Sequence, residues 1–387
     1  MRMKKLMILA VAAIALVACS KTFDTGKSNG AAIGFGTWTE TLTKARVQGS
    51  NDFVATDNLS VYGTKTRTSG DPTSVVVFDN VTVTASGSGE LTWDYDNHRY
   101  WDSSYETYTF YAVSPAGCAT VTASTGAVST AALNFAGNNN DILIADKTVV
   151  NKGDGASSTW FNSYGKVNLT FNHAAALVDV KVKKANTLTD AVGISSISLD
   201  NIKQTGTLAI TTDQYNKSVA TRTTIPNIQV ASWTSSNPDV YRPVDGVNPV
   251  YGADGTTAIS STNQKVVPAD SGFSTDNTTA QTTPAGSEFV FNNLVVVPQT
   301  FGATGVDGSQ KITISYTLGT DPTTYTRTLY LADFDKIDNA VQTDDKVASW
   351  EPGKHYTLYI TIDAHAISFG AEIDPWATIS GYHYLIN

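Results

Sequence analysis

The chain has 387 residues, enough for two domains of ordinary size. Only 16% are charged and the formal net charge is −9, which excludes nucleic acid as a partner, because phosphate binding needs a basic surface. The remaining polar content is largely Thr, Ser, Asn and Gly, so strands and turns are expected and long helices are not.

Met1-Arg2-Met3-Lys4-Lys5 is a basic start, and an apolar run follows from Leu6 to Ala18. The run is too short for a permanent transmembrane helix and fits an export signal over residues 1–18. It ends in Leu16-Val17-Ala18-Cys19, which is similar to a bacterial lipobox. In that motif the Cys19 thiol receives diacylglycerol, the chain is cut before it, and the new amino terminus is acylated, typically with palmitate. Several chains on one residue anchor firmly, at about 0.8 kcal/mol per buried CH₂. An ordinary signal peptide with a chance cysteine is the alternative. With Cys19 lipidated, Cys118 stands alone and no intramolecular disulfide is expected.

Ser20 to Gly30 is polar and reads as a tether. Ala31 to Glu40 then places Ile33 and Phe35 on one face of a strand, with Trp38 just beyond. Lys44-Ala45-Arg46 offers a site to a trypsin-like protease. Residues 19–46 are thus read as a lipid tether and a removable strand (Ile33, Phe35, Trp38), cut after Arg46 or alternatively after Lys44. A plain surface arginine in a loop is the competing reading of Arg46, and both stay open here.

From residue 47 onward, short alternating stretches predict strands separated by turn residues. They are Asn58 to Gly63, Ser74 to Phe78, Val81 to Thr84, Leu91 to Tyr95, Tyr105 to Val113, Asp141 to Ala145, Val167 to Phe171 and Val178 to Lys183. Asp79-Asn80 predicts a hairpin turn, and Asn172 to Leu177 a single helical turn. Val178, Val180 and Val182 are expected to face inward, with the charges between them outward. The polar break from Lys183 to Asp190 suggests a boundary, giving domains at 47–186 and 187–387. In the second, strands are expected at Ile194 to Leu199, Gly206 to Ile210, Glu288 to Phe291, Leu294 to Val297, Lys311 to Tyr316 and Tyr325 to Tyr330. Thr234 to Pro284 reads as long surface loops where a ligand site could hide. Trp350 to Lys354 is a turn. Tyr356 to Ile362 and Ile367 to Ile373 form two final strands before Asp374-Pro375 and a tail from Trp376 to Asn387. Strands at this spacing predict an all-β protein of antiparallel sandwiches.

Catalytic motifs are missing from the sequence. No Gly-x-Ser-x-Gly elbow, Walker loop or His-Glu-x-x-His pattern occurs, so neither an enzyme nor a cofactor is expected. The histidines at 98, 173, 355, 365 and 383 have no cysteine or carboxylate at ligand spacing, and no metal site is expected. Asp94 to Asn97 is hairpin chemistry or, less simply, a set of calcium oxygens. Trp93, Tyr95, Tyr100, Trp101 and Tyr105 are core rings or a sugar-stacking platform.

Four pieces, taken in order, resemble the fimbrillin family of Bacteroidales surface pilins. They are the lipobox with a strand before a basic site; Tyr108 to Pro115; Leu169 to His173 running into Leu177 to Val182; and Trp350-Glu351-Pro352-Gly353-Lys354 leading into an alternating strand. The resemblance implies two transthyretin-like antiparallel β-sandwich domains in tandem. It implies a structural fimbrial subunit, anchored in the outer membrane through Cys19, cut by a trypsin-like protease, and joined to other pilin subunits by strand exchange. The C-terminal strand carrying Ile367, Phe369, Ala371 and Ile373 is then the candidate donor. If that strand is fixed in its own domain, the tail from Trp376 to Asn387, with Trp376 and Ile379, is the exchanged piece; if the tail is fixed, the subunit is a tip or cap rather than a shaft subunit. A monomeric surface lipoprotein that binds glycans is the second reading.

Overall fold

The computed structural model describes residues 32–37, 53–87, 91–134, 141–151, 166–169, 171–210, 232–241, 257–267, 289–338, 341–363 and 366–375. Among them the regular elements are strands, apart from one 3₁₀ turn at Leu331–Asp333. No described helix is long and apolar enough to cross a membrane.

In chain order, β1 (Gly34–Thr37) and β2 (Asn58–Thr66) precede β3 (Ser74–Ser86), β4 (Thr92–Asp94) and β5 (Thr107–Ser114). Then come β6 (Thr120–Val121), β7 (Val128–Asn134), β8 (Leu143–Ala145), β9 (Thr148–Asn151), β10 (Lys166–Leu169) and β11 (Phe171–His173). The longer β12 (Ala176–Lys184) and β13 (Val192–Ile210) lead to β14 (Ser232–Tyr241), β15 (Lys265–Val266), β16 (Phe289–Val296) and β17 (Gln299–Thr300). The last described strands are β18 (Lys311–Leu318), β19 (Tyr325–Tyr330), β20 (Asp335–Asp338), β21 (Val341–Lys346), β22 (Ser349–Trp350), β23 (Lys354–Asp363) and β24 (Ala366–Pro375).

The first sheet follows the order β10-β1-β4-β3-β2-β5-β8-β11, with β9 also on β5. Its two ends, β10 and β11, are separated in sequence by Thr170 alone. The ladder therefore returns nearly to its start and wraps one aromatic-rich core, including Leu59, Val61, Phe78, Tyr108, Phe110 and Phe171. Residues two apart along β3, such as Val81, Val83 and Ala85, turn one face to this core, as a period of two requires.

In the second half two sheets face each other across one core. One runs β16-β12-β23-β24-β20-β21; the other runs β19-β18-β13-β7-β6, with β14 and β15 also on β13. Val178, Val180, Val182, Leu358 and Ile360 of the first meet Ile194, Ile197, Leu199, Ile312 and Ile314 of the second. The valines of β12 point inward as their alternation demands. Asp179 and Lys181 between them are nevertheless fully buried, on the sheet's other face. A further apolar cluster joins Tyr62, Tyr111 and Val113 to Leu177, Leu208, Val295 and Val297, and so links the two halves. The all-β antiparallel sandwich class is thus present, with parallel exceptions at β1–β10, β12–β23 and β20–β24.

Several expectations differ from the structure. Asp79-Asn80 does not turn the chain: β3 runs through it, with Asn80 at φ 55° and a register shift opposite Tyr62. A left-handed Asn makes a β-bulge as readily as a hairpin turn, and the bulge lets the Tyr62 hydroxyl reach Asn80 Oδ1 at 3.1 Å. Asn172 to Leu177 is not helical; it is extended, with a bend at Ala174-Ala175. Ile194 to Leu199 and Gly206 to Ile210 are one strand, β13, bent at Asn201. β14 and β15 lie inside the stretch read as loops, because Ser- and Thr-rich backbone can still complete a ladder on β13. The remainder of that stretch lies outside the described residues. β12 pairs with β16 and β23, and β7 pairs with β13.

Candidate functional site

The four described residues of β1 sit inside the first sheet, antiparallel to β4 and parallel to β10. The flanking glycines leave Ile33 and Phe35 to do the packing, and both are buried, at 0% and 1% exposure. The Phe35 ring lies 5.2 Å from Phe78, 5.7 Å from Tyr95 and 5.9 Å from Phe110, with edge-to-face or tilted geometry. Such pairs add about 0.5–1.5 kcal/mol each beyond area burial.

The backbone of β1 is held as well. Ile33 N–H donates to the Arg99 carbonyl at 2.7 Å. The Tyr95 hydroxyl donates to the Ile33 carbonyl at 2.7 Å and accepts the Arg99 N–H at 3.1 Å. Burial pushes the Tyr95 phenol up to about 12, so it remains a donor at any physiological pH. Ala32 bridges Tyr100 just before this clamp. Without β1, the facing edges of β4 and β10 would lose their ladder partners and the pockets of Ile33 and Phe35 would open between them.

Of the residues singled out in the sequence, Ile33 and Phe35 are in this slot. Cys19, Trp38, Lys44, Arg46, Trp376 and Ile379 lie outside the described residues. Ile367, Phe369, Ala371 and Ile373 are in β24, which pairs with β23 along ten positions on one side and with β20 on the other. Their side chains are committed to the second core, where the Phe369 ring lies 4.7 Å from Phe334. This strand, expected as the donor, is thus an interior member of its own sheet.

Trp93, Tyr95, Trp101 and Tyr105 are core residues, and of the set only Tyr100 is exposed. The sequence motif behind a sugar platform therefore does not assemble into one. Asp94 pairs with His98 at 2.8 Å, and that bond, with the Tyr95 N–H, holds its carboxyl below the usual range. Asn97 completes the turn at φ 55°. No cluster of three or more metal-ligating side chains is present among the described residues.

Two further histidine–carboxylate pairs escape sequence reading, because their partners are distant in the chain. His173 Nδ1 bonds Asp141 Oδ2 where β11 ends, with both side chains essentially buried. His355 Nε2 bonds Asp179 Oδ2 at 2.8 Å across the parallel β12–β23 pair. Only the strand pairing could have revealed either.

Cys118 is mostly buried beside the linking cluster. Burial, and then the nearby Asp141 charge, push its thiol up to about 12. At pH 8 roughly one molecule in 10⁴ would carry the thiolate, so folded protein is expected to resist iodoacetamide, with labelling appearing only in denaturant. Rapid labelling of the native chain, followed by mass spectrometry, would contradict this environment.

A family model described as fimbrillin-like matches residues 43–376. Among solved structures, the chain is similar to a fimbrial protein from Bacteroides vulgatus, with 14% identity, 89% of this chain and 99% of that one covered, and a TM-score of 0.48. It is also similar to the C-terminally truncated tip fimbrial protein Mfa3 from Porphyromonas gingivalis, with 13% identity, coverage of 83% and 95%, and a TM-score of 0.38. No curated protein sequence matches it.

Proposed function

The chain belongs to the fimbrillin-like family and is thus a structural, non-enzymatic subunit of a cell-surface fimbria; from that premise we propose that it polymerises when proteolysis frees the slot of β1. The precursor is exported as a lipoprotein held to the outer membrane through Cys19. A trypsin-like protease cuts after Arg46, or after Lys44, and the strand bearing Ile33, Phe35 and Trp38 leaves. A strand from another pilin subunit then enters between β4 and β10.

The observation that carries this reading is the placing of β1. It lies interior to a sheet, yet it precedes the basic site and presents few side chains. Refilling the Ile33 and Phe35 pockets is worth gross about 1.5–3 kcal/mol each. Each ladder hydrogen bond adds a net ~1 kcal/mol. Gly34 and Gly36 contribute no packing of their own, so a donor with larger side chains at those and later positions can hold more tightly. Because β24 is laddered on both edges, the donor is the tail that follows it, with Trp376 and Ile379. The division into two sandwich domains belongs to the same proposal, with β12 counted in the second.

The test is Arg46→Ala. Unmodified protein is expected to begin at Val47 after processing and to form detergent-resistant polymers. The variant is expected to stay monomeric and lipid-bound. Polymers of normal length from the double variant Lys44→Ala/Arg46→Ala would refute protease triggering.

A further inference from the structure

Besides the ladder of Gly34 to Thr37 on β10, the slot grips the backbone of the residue just before β1. Ile33 is held by its N–H through the Arg99 carbonyl and by its carbonyl through the Tyr95 hydroxyl, each at 2.7 Å. Tyr95 is itself tied to this stretch, because its hydroxyl accepts the Arg99 N–H. Phe78 and Phe110 fill the same core without a hydroxyl, so space-filling alone does not require one at Tyr95. A strand that slipped by one residue here would turn the Ile33 and Phe35 side chains away from their pockets.

We propose that Tyr95 sets the register of the β1 slot: it latches the backbone carbonyl of Ile33, which seats that aliphatic side chain and the Phe35 ring two residues on in their pockets. Tyr95 is a positioning residue that reads the backbone; the pocket lined by Phe78, Tyr95 and Phe110 reads the ring. The proposal rests on the reading that this slot changes occupant.

The same side-chain order is found in β24. Ala32-Ile33-Gly34-Phe35-Gly36 recurs as Ala366-Ile367-Ser368-Phe369-Gly370. The second segment also lies in a strand with one antiparallel and one parallel neighbour, as β1 does. The two segments have matching side-chain patterns, and a peptide of either sequence is a fair probe of the slot.

The test has two arms. In the intact chain, Tyr95→Phe is expected to speed hydrogen exchange at the Ile33 and Arg99 amides about tenfold, as the loss of one buried hydrogen bond implies. Amides of Val180 and Ile314 in the other core should not change. Unaltered exchange at both Ile33 and Arg99 would overturn the latch, whatever becomes of strand exchange. In the second arm, the chain processed after Arg46 is titrated with labelled peptides of residues 31–40 and 366–375, and with a version of the first in which Ile and Phe each move by one place. The two native sequences should bind, the slipped one at least tenfold more weakly, and the gap should narrow in Tyr95→Phe. Equal binding of slipped and native peptides would overturn register control. Binding of none would overturn the replaceable slot itself and leave the exchange rates to decide the latch.

Discussion

Replacing Phe35 by alanine is expected to lower the unfolding free energy of the unprocessed chain by about 3–5 kcal/mol, the usual cost of emptying a buried aromatic site. The ring touches Phe78 on β3, Phe110 on β5 and Tyr95 after β4. Three separate stretches cannot easily close together over the void, so the upper part of the range is favoured. The glycines on either side offer no methylene to fill it. Urea denaturation followed by tryptophan fluorescence measures the loss. If processing removes β1 as proposed, the same substitution should have no effect on the assembled protein. A loss below about 1 kcal/mol in the precursor would show that β1 does not hold the first sheet shut.

The second large effect is expected at the crossing between the two halves. Asp141→Ala should cost about 3 kcal/mol, because it removes the carboxylate to which the buried His173 ring is hydrogen-bonded. The Asp141 and His173 side chains are 2% and 0% exposed, so water cannot replace the lost partner. The pair sits where backbone links change hands. Ala174 N–H donates to the Ile142 carbonyl at 2.9 Å, and Gly353 N–H donates to the Ala175 carbonyl at 2.8 Å. Gly353 has φ 67°, which suits glycine, and a Cβ there would meet the His173 carbonyl at 3.4 Å. Replacing both members with apolar residues, Asp141→Leu with His173→Phe, is expected to recover most of the loss. A double-mutant cycle in urea decides it. Equal losses for the single and double variants would mean that the pair is incidental.

Period-two alternation made the strands legible wherever one face meets a core. Val178, Val180 and Val182 announce β12, and the Ile312, Ile314, Tyr316 series announces β18. It could not announce β14, whose Ser- and Thr-rich sequence carries no apolar face. It also could not show that β12 leaves the first sheet for β16 and β23, because pairing partners are not written into a single strand. Asp79-Asn80 suggests a turn as readily as the bulge it forms, because a left-handed Asn serves both. At the candidate site, Ile33 and Phe35 were visible as a short apolar face. The Tyr95–Arg99 clamp was not, since it depends on a hydroxyl meeting a backbone carbonyl 62 positions away.

The first sheet begins and ends on adjoining stretches, β10 and β11, with β1 between β4 and β10. A segment bordered on both sides cannot be peeled away one bond at a time. Pulling along its axis loads both rows of bonds in shear, so they must fail together, whereas an edge strand would unzip from one end. If another subunit's strand takes this place as proposed, the joint would be strongest along the strand axis and weakest to a sideways tug.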